Sequence, residues 1–283
     1  MHIGIDVGGT NTDAVLMDSD VLVDKIKNPT TPDVTSGIIS CINTLINSRP
    51  DVGQIDAVML GTTHFVNALL QRRELAPSAA LRLCLPATTM LPPLIDWPND
   101  LKNSIGGHTY MARGGHEYDG REISSIDEKE LRKIANQMTD EGVRSVSICG
   151  VFSPVDGSHE KIAAEIIKSE TPDVNITLSS EIGRVGLLER ENAAMLNACL
   201  VEVASKTVAA IRTAMLSAGL NVPLFFSQND GTLMQSEFAS HYPVFTIASG
   251  PTNSMRGAAF LSGVLDAVIV DIGGTSTDGG MLI

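Results

Sequence analysis

The chain has 283 residues, and 43% of them are hydrophobic, which is enough for a packed core in one large domain or two ordinary ones. Aromatic residues make up only 4% and glycine is frequent, a composition that favours an α/β fold over an aromatic-rich β sandwich. The formal net charge is −13 and no Lys/Arg cluster occurs, which argues against nucleic acid and anionic membrane surfaces as partners.

The four cysteines lie far apart, without CxxC spacing, and mostly in apolar runs: Cys41, Cys84, Cys149 and Cys199. We predict small buried side chains in a reducing compartment. The sequence does not open with a basic segment followed by an apolar run, and it contains no stretch of about 18 uncharged apolar residues. We therefore expect a soluble, cytoplasmic protein.

The first segment predicts three strands, a helix and a fourth strand. Residues 2–7 and 13–18 are short apolar strands joined by GGTNT, and residues 21–27 alternate as a third strand. Residues 34–46 follow Pro32-Asp33 and have a helical apolar period, and residues 56–60 form the next strand. This order predicts an RNase-H-like layer.

The segment after this layer contains candidate substrate residues. Thr62 and Thr63 precede a helix predicted from His64 to about Arg73, where they can cap the helix, contact a ligand at its N-terminus, or do both. His64 and Asn67 lie in the first turns of this helix and are further substrate candidates, although a lone histidine is more often structural.

Residues 81–125 contain a Pro-rich stretch and several glycines, and they predict a loop or short hairpin. His108 and His116 could form a metal pair, but no Cys or carboxylate lies at ligand spacing. We prefer to interpret both histidines as residues of a loop or of the wall of a substrate site. Arg113 is included among the substrate candidates.

From residue 125 the pattern alternates between helices and strands. Residues 127–141 and 158–169 predict helices, and residues 144–151 and 174–179 predict strands. This alternation predicts an α/β subdomain, partly parallel, inserted after the first layer. We expect it to carry substrate specificity.

Residues 185–218 are the longest helical candidate, ended by Gly219. Polar residues crowd its start, either as a solvated first turn or as substrate contacts, with Glu189, Arg190 and Asn192 as the candidates. A strand at 223–228, a helix at 252–262 capped by Ser249, and a last strand at 267–272 follow.

One motif occurs twice, near the two ends of the chain. Residues 5–16 read IDVGGTNTDAVL, residues 270–281 read VDIGGTSTDGGM, and they align without a gap at an offset of 265. Six residues recur and Asn11 lies opposite Ser276: Asp6, Gly8, Gly9, Thr10, Thr12 and Asp13 match Asp271, Gly273, Gly274, Thr275, Thr277 and Asp278. A purely structural glycine turn does not need the same Asp and Thr twice.

The motif suits phosphate binding. Glycine lets backbone N–H groups approach a phosphate closely, and threonine hydroxyls donate further hydrogen bonds. Asp6 and Asp271 end their strands just before the glycines, where a carboxylate can hold hydrated Mg²⁺ or orient a nucleophile. We predict these two as catalytic and metal-binding residues. The other motif positions are predicted cofactor-binding residues, with Asp13 and Asp278 as secondary candidates that could instead stabilise their hairpins.

Six segments in order resemble the N-terminal part of the hydantoinase/oxoprolinase family: IDVGGTNTDAVLMD, GTTHFVNALLQRR, LERENAAMLNACL, SQNDGTLMQSE, SGPTNSMRGAA and VIVDIGGTSTDGGML. This family lies within the superfamily of actin, sugar kinases, acetate kinase and heat-shock chaperones. The chain departs from the family pattern at Asn229-Asp230-Gly231-Thr232, where Ser-Asp-Gly-Gly is usual, and at Thr252-Asn253-Ser254, where smaller residues are usual.

The resemblance implies an actin-like ATPase fold with ATP between the two hairpins and Mg²⁺ at Asp6 and Asp271. It implies ATP-dependent ring opening of a five-membered cyclic amide such as a hydantoin or 5-oxoproline, with a second hydrolase subunit as a partner. An ATP-dependent carboxylase subunit and a non-catalytic nucleotide sensor or regulator remain alternatives.

The expected segments are a first layer at 1–78, an inserted subdomain at 79–184, a long helix and return at 185–263, and the start of a second ATPase domain at 264–283. We expect the chain to be truncated at that point and to be inactive alone. Its terminal strand, with an unpaired edge, is expected to favour homo-oligomers.

Overall fold

The computed structural model describes residues 1–31, 34–48, 54–272 and 277–282. It divides into two compact units: unit 1 comprises Met1–Asn67 and Ala204–Ile283, and unit 2 comprises Ala68–Val203. The four predicted segments are not tested by this division and stay a prediction.

The described residues form twelve strands and eight α-helices, numbered in chain order. The strands are β1 (His2–Val7), β2 (Asn11–Asp18), β3 (Val21–Pro29), β4 (Ala57–Thr62), β5 (Ser78–Leu85), β6 (His108–Arg113), β7 (Ser145–Gly150), β8 (Asn175–Leu178), β9 (Leu224–Ser227), β10 (Leu233–Gln235), β11 (Ala267–Ile272) and β12 (Thr277–Leu282). The helices are α1 (Val34–Ser48), α2 (His64–Gln71), α3 (Asn99–Ser104), α4 (Glu128–Asp140), α5 (Ser158–Glu170), α6 (Leu187–Ser217), α7 (Ser236–His241) and α8 (Ser249–Ser262).

Unit 1 is built on a six-stranded sheet with the order β10-β9-β4-β1-β2-β3. The first three strands form an antiparallel meander, whereas β4 pairs parallel to β1 and β9 pairs parallel to β4. Alternate residues of β1 are buried, and α1 packs against β1, β2 and β3. This arrangement follows from the period-two pattern of the strands and the 3.6-residue apolar period of the helix.

The second copy of the repeated motif forms a separate two-stranded sheet, β11–β12. Apolar side chains of the second copy are exposed to solvent at positions where those of the first copy are buried. Ile3, Ile5 and Val7 are 0%, 4% and 2% exposed, whereas their counterparts, Val268, Val270 and Ile272, are 73%, 57% and 77% exposed. The difference arises because the first hairpin belongs to a six-stranded sheet packed against α1, whereas the second pairs only with itself.

Unit 2 contains a four-stranded parallel sheet with the order β6-β5-β7-β8. Residues of β5, β6 and β7 form one apolar core with residues of α4 and α5. Every residue of β7 is buried, as is typical of a parallel strand covered on both faces. The helices and strands predicted from residue 127 to residue 179 are confirmed, and Asp127 caps α4 by accepting from the Lys129 and Glu130 N–H groups.

Two sequence predictions about local structure are wrong. Residues 81–125 are not simply a loop, because they include most of β5 together with α3 and β6, although a short hairpin does bridge His116 and Glu122. Burial on both faces removes the alternation that identifies a strand, and Arg82 interrupts the apolar run of β5. Ser249 does not cap α8, since the residue before the helix is Ala248, with a left-handed φ of 66°.

The cysteines are buried and unpaired, as the sequence predicted. Burial raises the pKa of Cys149 and of Cys199 to about 12, which keeps both thiols protonated. The long helix α6 contains an 18-residue window apolar enough to cross a membrane by length and composition. Because 56% of that window is buried inside the structure, the helix resembles the core helix of a globular protein.

A buried ion pair joins β5 to α6 within unit 2. Arg82 Nε donates to Glu191 Oε1 at 2.7 Å, and a second Arg82 nitrogen contacts Glu191 Oε2. The two side chains are 0% and 1% exposed, so water cannot replace either partner. Such a pair depends on both members, because removing one leaves the other charge buried without a counter-ion.

We expect Arg82→Met to lower the free energy of unfolding by about 3–5 kcal/mol, because it leaves the Glu191 carboxylate uncompensated. The double variant Arg82→Met/Glu191→Leu should recover much of that loss, as measured by urea unfolding. Arg121→Met is the control, since its ion pair with Asp119 is on the surface and should contribute at most about 1 kcal/mol. Additive losses in the double variant would contradict this account.

Candidate functional site

The first hairpin brings two aspartates side by side. Asp6 lies opposite Asp13 and Val7 lies opposite Thr12 in the pairing of β1 with β2. The Gly8 N–H donates to the Asn11 carbonyl oxygen at 3.0 Å and closes the turn. Gly9 and Thr10 form its exposed tip. The predicted cofactor-binding residues of this copy are therefore gathered at one end of the sheet.

Thr30 supports this turn and was not identified from the sequence. Its hydroxyl donates to the Gly8 carbonyl oxygen at 2.8 Å, and its N–H donates to the Thr10 carbonyl oxygen at 2.9 Å. The Thr12 hydroxyl is 3.2 Å from the Thr30 hydroxyl, and Thr12 is only 1% exposed. Thr12 thus contributes to the inner support of the hairpin, and its predicted cofactor contact stays a prediction.

The second hairpin has the same register as the first. Asp271 lies opposite Asp278 and Ile272 lies opposite Thr277, so each pair matches the corresponding pair of the first copy. Gly273, Gly274, Thr275 and Ser276 lie outside the described residues. The sequence repeat is therefore a structural repeat in every paired position that the structure describes.

Asp6 lies in an acidic environment. Loss of hydration by burial, followed by the negative charges of Asp13 and Asp271, raises the pKa of Asp6 to about 6. Asp6 retains exposed side-chain surface, so its loss of hydration is partial. Lys27 Nζ lies 3.3 Å from Asp13 Oδ1, but both groups are solvent-exposed and this pair is weak compensation.

Two residues beside Asp6 were missed by sequence reasoning. Gly61 lies opposite Asp6 in the parallel pairing of β1 with β4. A Cβ atom on Gly61 would lie 2.6 Å from Asp6 Oδ1 and 2.8 Å from Asn253 Nδ2. A larger residue here would therefore displace one or both of these side chains. The sequence Gly61-Thr62-Thr63 shows that a glycine is present, but it does not show which side chains lie against it.

Helix α8 also contacts the second hairpin. The Ser254 hydroxyl donates to Asp271 Oδ2, and the small recess there is lined by residues of α8 and of both strands of the hairpin. Asp6 and Asp271 therefore each have a neighbour on α8, namely Asn253 and Ser254. Both hairpins and α8 belong to unit 1.

The predicted substrate residues around β4 and α2 lie next to the first hairpin. The Thr62 hydroxyl accepts from the His64 N–H at 3.0 Å, and the Thr63 hydroxyl donates to the Val7 carbonyl oxygen at 3.2 Å. Asn67 Nδ2 donates to the Thr63 hydroxyl at 3.2 Å. The first bond gives Thr62 the capping role that the sequence allowed, whereas the Thr63 hydroxyl joins α2 to the end of β1.

The remaining substrate candidates lie in unit 2. Arg190 is 1% exposed, and its guanidinium donates to the Ser179 hydroxyl and to the carbonyl oxygens of Gly150, Arg184, Val185 and Gly186. Arg190 therefore stabilises unit 2, and a substrate contact would require one of these bonds to break. Asn192 is likewise engaged, since it accepts from Trp97 Nε1 at 2.8 Å and donates to Asp96. Glu189 and Arg113 are exposed.

The acidic site fits a hydrated divalent cation. Among the described residues no group of three or more His, Cys, Asp or Glu side chains is arranged to hold a metal ion. Mg²⁺ commonly uses only one or two carboxylates and takes its other ligands from water and phosphate oxygens. A cation near Asp6 and Asp271 would also offset the repulsion that raises the pKa of Asp6.

Two family models cover most of the chain. Residues 2–171 match the model described as the hydantoinase/oxoprolinase N-terminal region, and residues 190–283 match the model described as hydantoinase/oxoprolinase. The alpha subunit of caprolactamase from Pseudomonas jessenii is 26% identical over 303 aligned residues, which cover 98% of this chain and 42% of that protein.

Two solved structures have a similar fold. Nucleotide-free acetone carboxylase, described in work on ATP-dependent acetone carboxylation, gives a TM-score of 0.78 at 19% identity and covers 99% of this chain and 43% of that one. The ATP-dependent caprolactamase from Pseudomonas jessenii gives 0.75 at 23% identity, with the same coverage. These likenesses show a shared α/β fold, and the chain spans less than half the length of these relatives.

We expect Asp6→Asn to stabilise the protein above about pH 6. The pKa of Asp6 is raised from 3.8 to about 6 on folding, so the folded state binds more protons than the unfolded state between these values. Stability is therefore lost as the pH rises through this window, and the full penalty is present above it.

Thermal unfolding in the presence of a chelator tests this expectation. The Asn variant should have a higher Tm than the wild type at about pH 7.5 and no advantage at about pH 3.5. Asp18→Asn, at the exposed far end of β2, is the control and should show no such pH-dependent gain. A variant without advantage at either pH would contradict the expectation.

We expect Gly61→Ala to displace Asp6 and Asn253 while the fold persists. The new methyl group would lie within 3 Å of two side-chain ends, which can move, so the cost should stay below about 2 kcal/mol. A crystal structure of the variant shows the displacement and urea unfolding gives the cost. Gly257→Ala is the control, because a Cβ there meets nothing within 4 Å. An unmoved Asp6 carboxylate in Gly61→Ala would refute the prediction.

Proposed function

This chain belongs to the hydantoinase/oxoprolinase family, and we propose that it binds the phosphates of ATP in an enzyme that opens a cyclic amide. The observation that carries the proposal is the repeated hairpin. Each copy places an aspartate at the last position but one of a strand, opposite a second aspartate and separated by one residue from the following Gly-Gly-Thr. Two such copies give an ATP polyphosphate two glycine-rich turns and two carboxylates.

The sheet of unit 1 supports an RNase-H-like, actin-like ATPase layer. Its meander β1-β2-β3, followed by β4 parallel to β1 and β9 parallel to β4, is the order expected for such a layer. In this proposal ATP lies between the two hairpins. Their backbone N–H groups stabilise charge on the transferring phosphoryl group, and Asp6 and Asp271 hold its hydrated Mg²⁺. Bound Mg²⁺ would supply positive charge against the phosphate oxygens.

ATP is needed because an unstrained amide is a poor electrophile. In the proposed reaction the amide oxygen attacks the γ-phosphorus and ADP leaves, which turns that oxygen into a phosphate ester. Water then adds to the ring carbon, the carbon–nitrogen bond breaks and the nitrogen takes up a proton. Hydrolysis of the remaining acyl phosphate releases phosphate and the open-chain amino acid.

The cyclic amide is favoured as substrate class by the family and by the 26% identical caprolactamase subunit. A five-membered ring, such as a hydantoin or 5-oxoproline, remains our first candidate, with Thr62, Thr63, His64 and Asn67 beside the first hairpin as proposed contacts. The structural likeness to acetone carboxylase keeps a carboxylase subunit as the second candidate. Because the caprolactamase relative is a subunit, we also propose a partner subunit.

Phosphate release tests the function, using the protein purified with whatever subunits accompany it. We expect release from Mg-ATP to depend on a hydantoin, 5-oxoproline or caprolactam and not on bicarbonate. Asp6→Ala should lower the rate at least about 100-fold, because the cation and transferring phosphate lose a carboxylate. Asp18→Ala, on the exposed end of β2, should keep wild-type activity.

The alternatives predict different results. Dependence on bicarbonate and a ketone would identify a carboxylase, and tight nucleotide binding without turnover would identify a sensor. ATP turnover that is indifferent to every cyclic amide would contradict the proposed hydrolase.

A further inference from the structure

We propose that Asn253 and Ser254, two consecutive residues of α8, are positioning residues that orient Asp6 and Asp271 for the nucleotide and its cation. The inference rests on the proposed function, because it assigns a task to side chains beside the two aspartates. It adds something that the repeat does not contain, namely one helix that contacts the second copy and also β4, the strand that pairs with β1 of the first copy.

Asn253 belongs to the first hairpin's side of the site. Its Nδ2 and the Asp6 Oδ1 both lie within 3 Å of the point where a Cβ of Gly61 would be. The absence of that Cβ leaves room over β4 for both the amide and the carboxylate. An amide N–H is a donor, so Asn253 presents a neutral polar group to a carboxylate whose other neighbours, Asp13 and Asp271, are negative.

Ser254 belongs to the second hairpin's side. Its hydroxyl donates to Asp271 Oδ2, which leaves Oδ1 as the oxygen not used in this bond. The bond joins the second turn of α8 to Asp271 of β11, two residues before Gly273. A hydrogen bond to one oxygen of a carboxylate selects the rotamer that presents the other oxygen, as in the outer shells of metal sites.

The position of α8 is itself held by hydrogen bonds on another side of the helix. The Thr252 hydroxyl donates to the Asn229 carbonyl oxygen at 2.8 Å, and Arg256 Nη1 donates to the Gly231 carbonyl oxygen. Gly231 has φ +82°, and a Cβ there would lie 2.8 Å from Arg256 Cδ. The turn at residues 229–231 therefore fixes the rotation of α8, and with it the directions of Asn253 and Ser254.

One short stretch of helix therefore links the orientations of two carboxylates that the chain places 265 positions apart. Phosphoryl transfer depends on such alignment, since a displacement of about 1 Å in a reacting group can cost about 100-fold in rate. Both side chains act through Asp6 and Asp271, and neither needs to touch the substrate.

The activity test measures how phosphate release depends on Mg²⁺ concentration. Ser254→Ala and Asn253→Ala should each raise the half-saturating Mg²⁺ concentration about 10-fold to 100-fold, with the KM for the cyclic amide unchanged. Ser254→Thr keeps the hydroxyl and should restore the wild-type value. Ser217→Ala and Asn43→Ala are matched controls on exposed helix positions and should have no effect. Wild-type Mg²⁺ dependence in both α8 variants would overturn the proposal.

A second measurement separates failure of this inference from failure of the proposed function. Crystal structures of the wild type, Ser254→Ala and Asn253→Ala, grown with a chelator and without nucleotide, require no activity. Rotation of the Asp271 carboxylate in the serine variant and of the Asp6 carboxylate in the asparagine variant supports positioning. Unmoved carboxylates overturn it, whether or not the wild type hydrolyses ATP.

Discussion

Strand pairing in unit 1 brings carboxylates close together, and the fold has to accommodate their repulsion. In both hairpins the register places one aspartate directly opposite another, an arrangement of like charges that destabilises a sheet. The chain compensates for it only weakly, through the exposed Lys27 near Asp13. Burial, followed by the negative charges of Asp13 and Asp271, raises the pKa of Asp6. The repetition of this arrangement supports the proposed binding of a cation and of phosphate.

Polar residues in unit 2 have a different role. Arg82 and Glu191 form a buried ion pair. Arg190 donates to carbonyl oxygens of the loop before α6 and of Gly150. Glu160 accepts from the Gly150 N–H and from Ser179 and Ser180. These groups satisfy one another within the core, so their burial reflects stability and not reactivity.

The two hairpins share a sequence and a register but not a setting. The first is held inside a six-stranded sheet, supported from within by Thr30 and packed against α1. The second pairs only with itself and contacts α8, and its apolar residues are exposed. The same motif therefore receives unequal support in its two copies, and α8 contacts both strands of the second hairpin and also β4, which pairs with the first.

The sequence by itself determined the repeated motif, the order along the chain of the strands and the helix in the first layer, the alternation of helices and strands after residue 125, and the family. These follow from short-range patterns: glycine turns, period-two strands and helical apolar periods. It did not identify β5 and β6, because parallel strands buried on both faces lose their alternation. Only the tertiary structure showed that Arg190 and Asn192 are engaged inside unit 2, and that Thr30, Gly61, Asn253 and Ser254 surround the hairpins. Those roles arise from contacts between residues distant in the chain, and residue type and spacing carry no record of which distant side chain approaches.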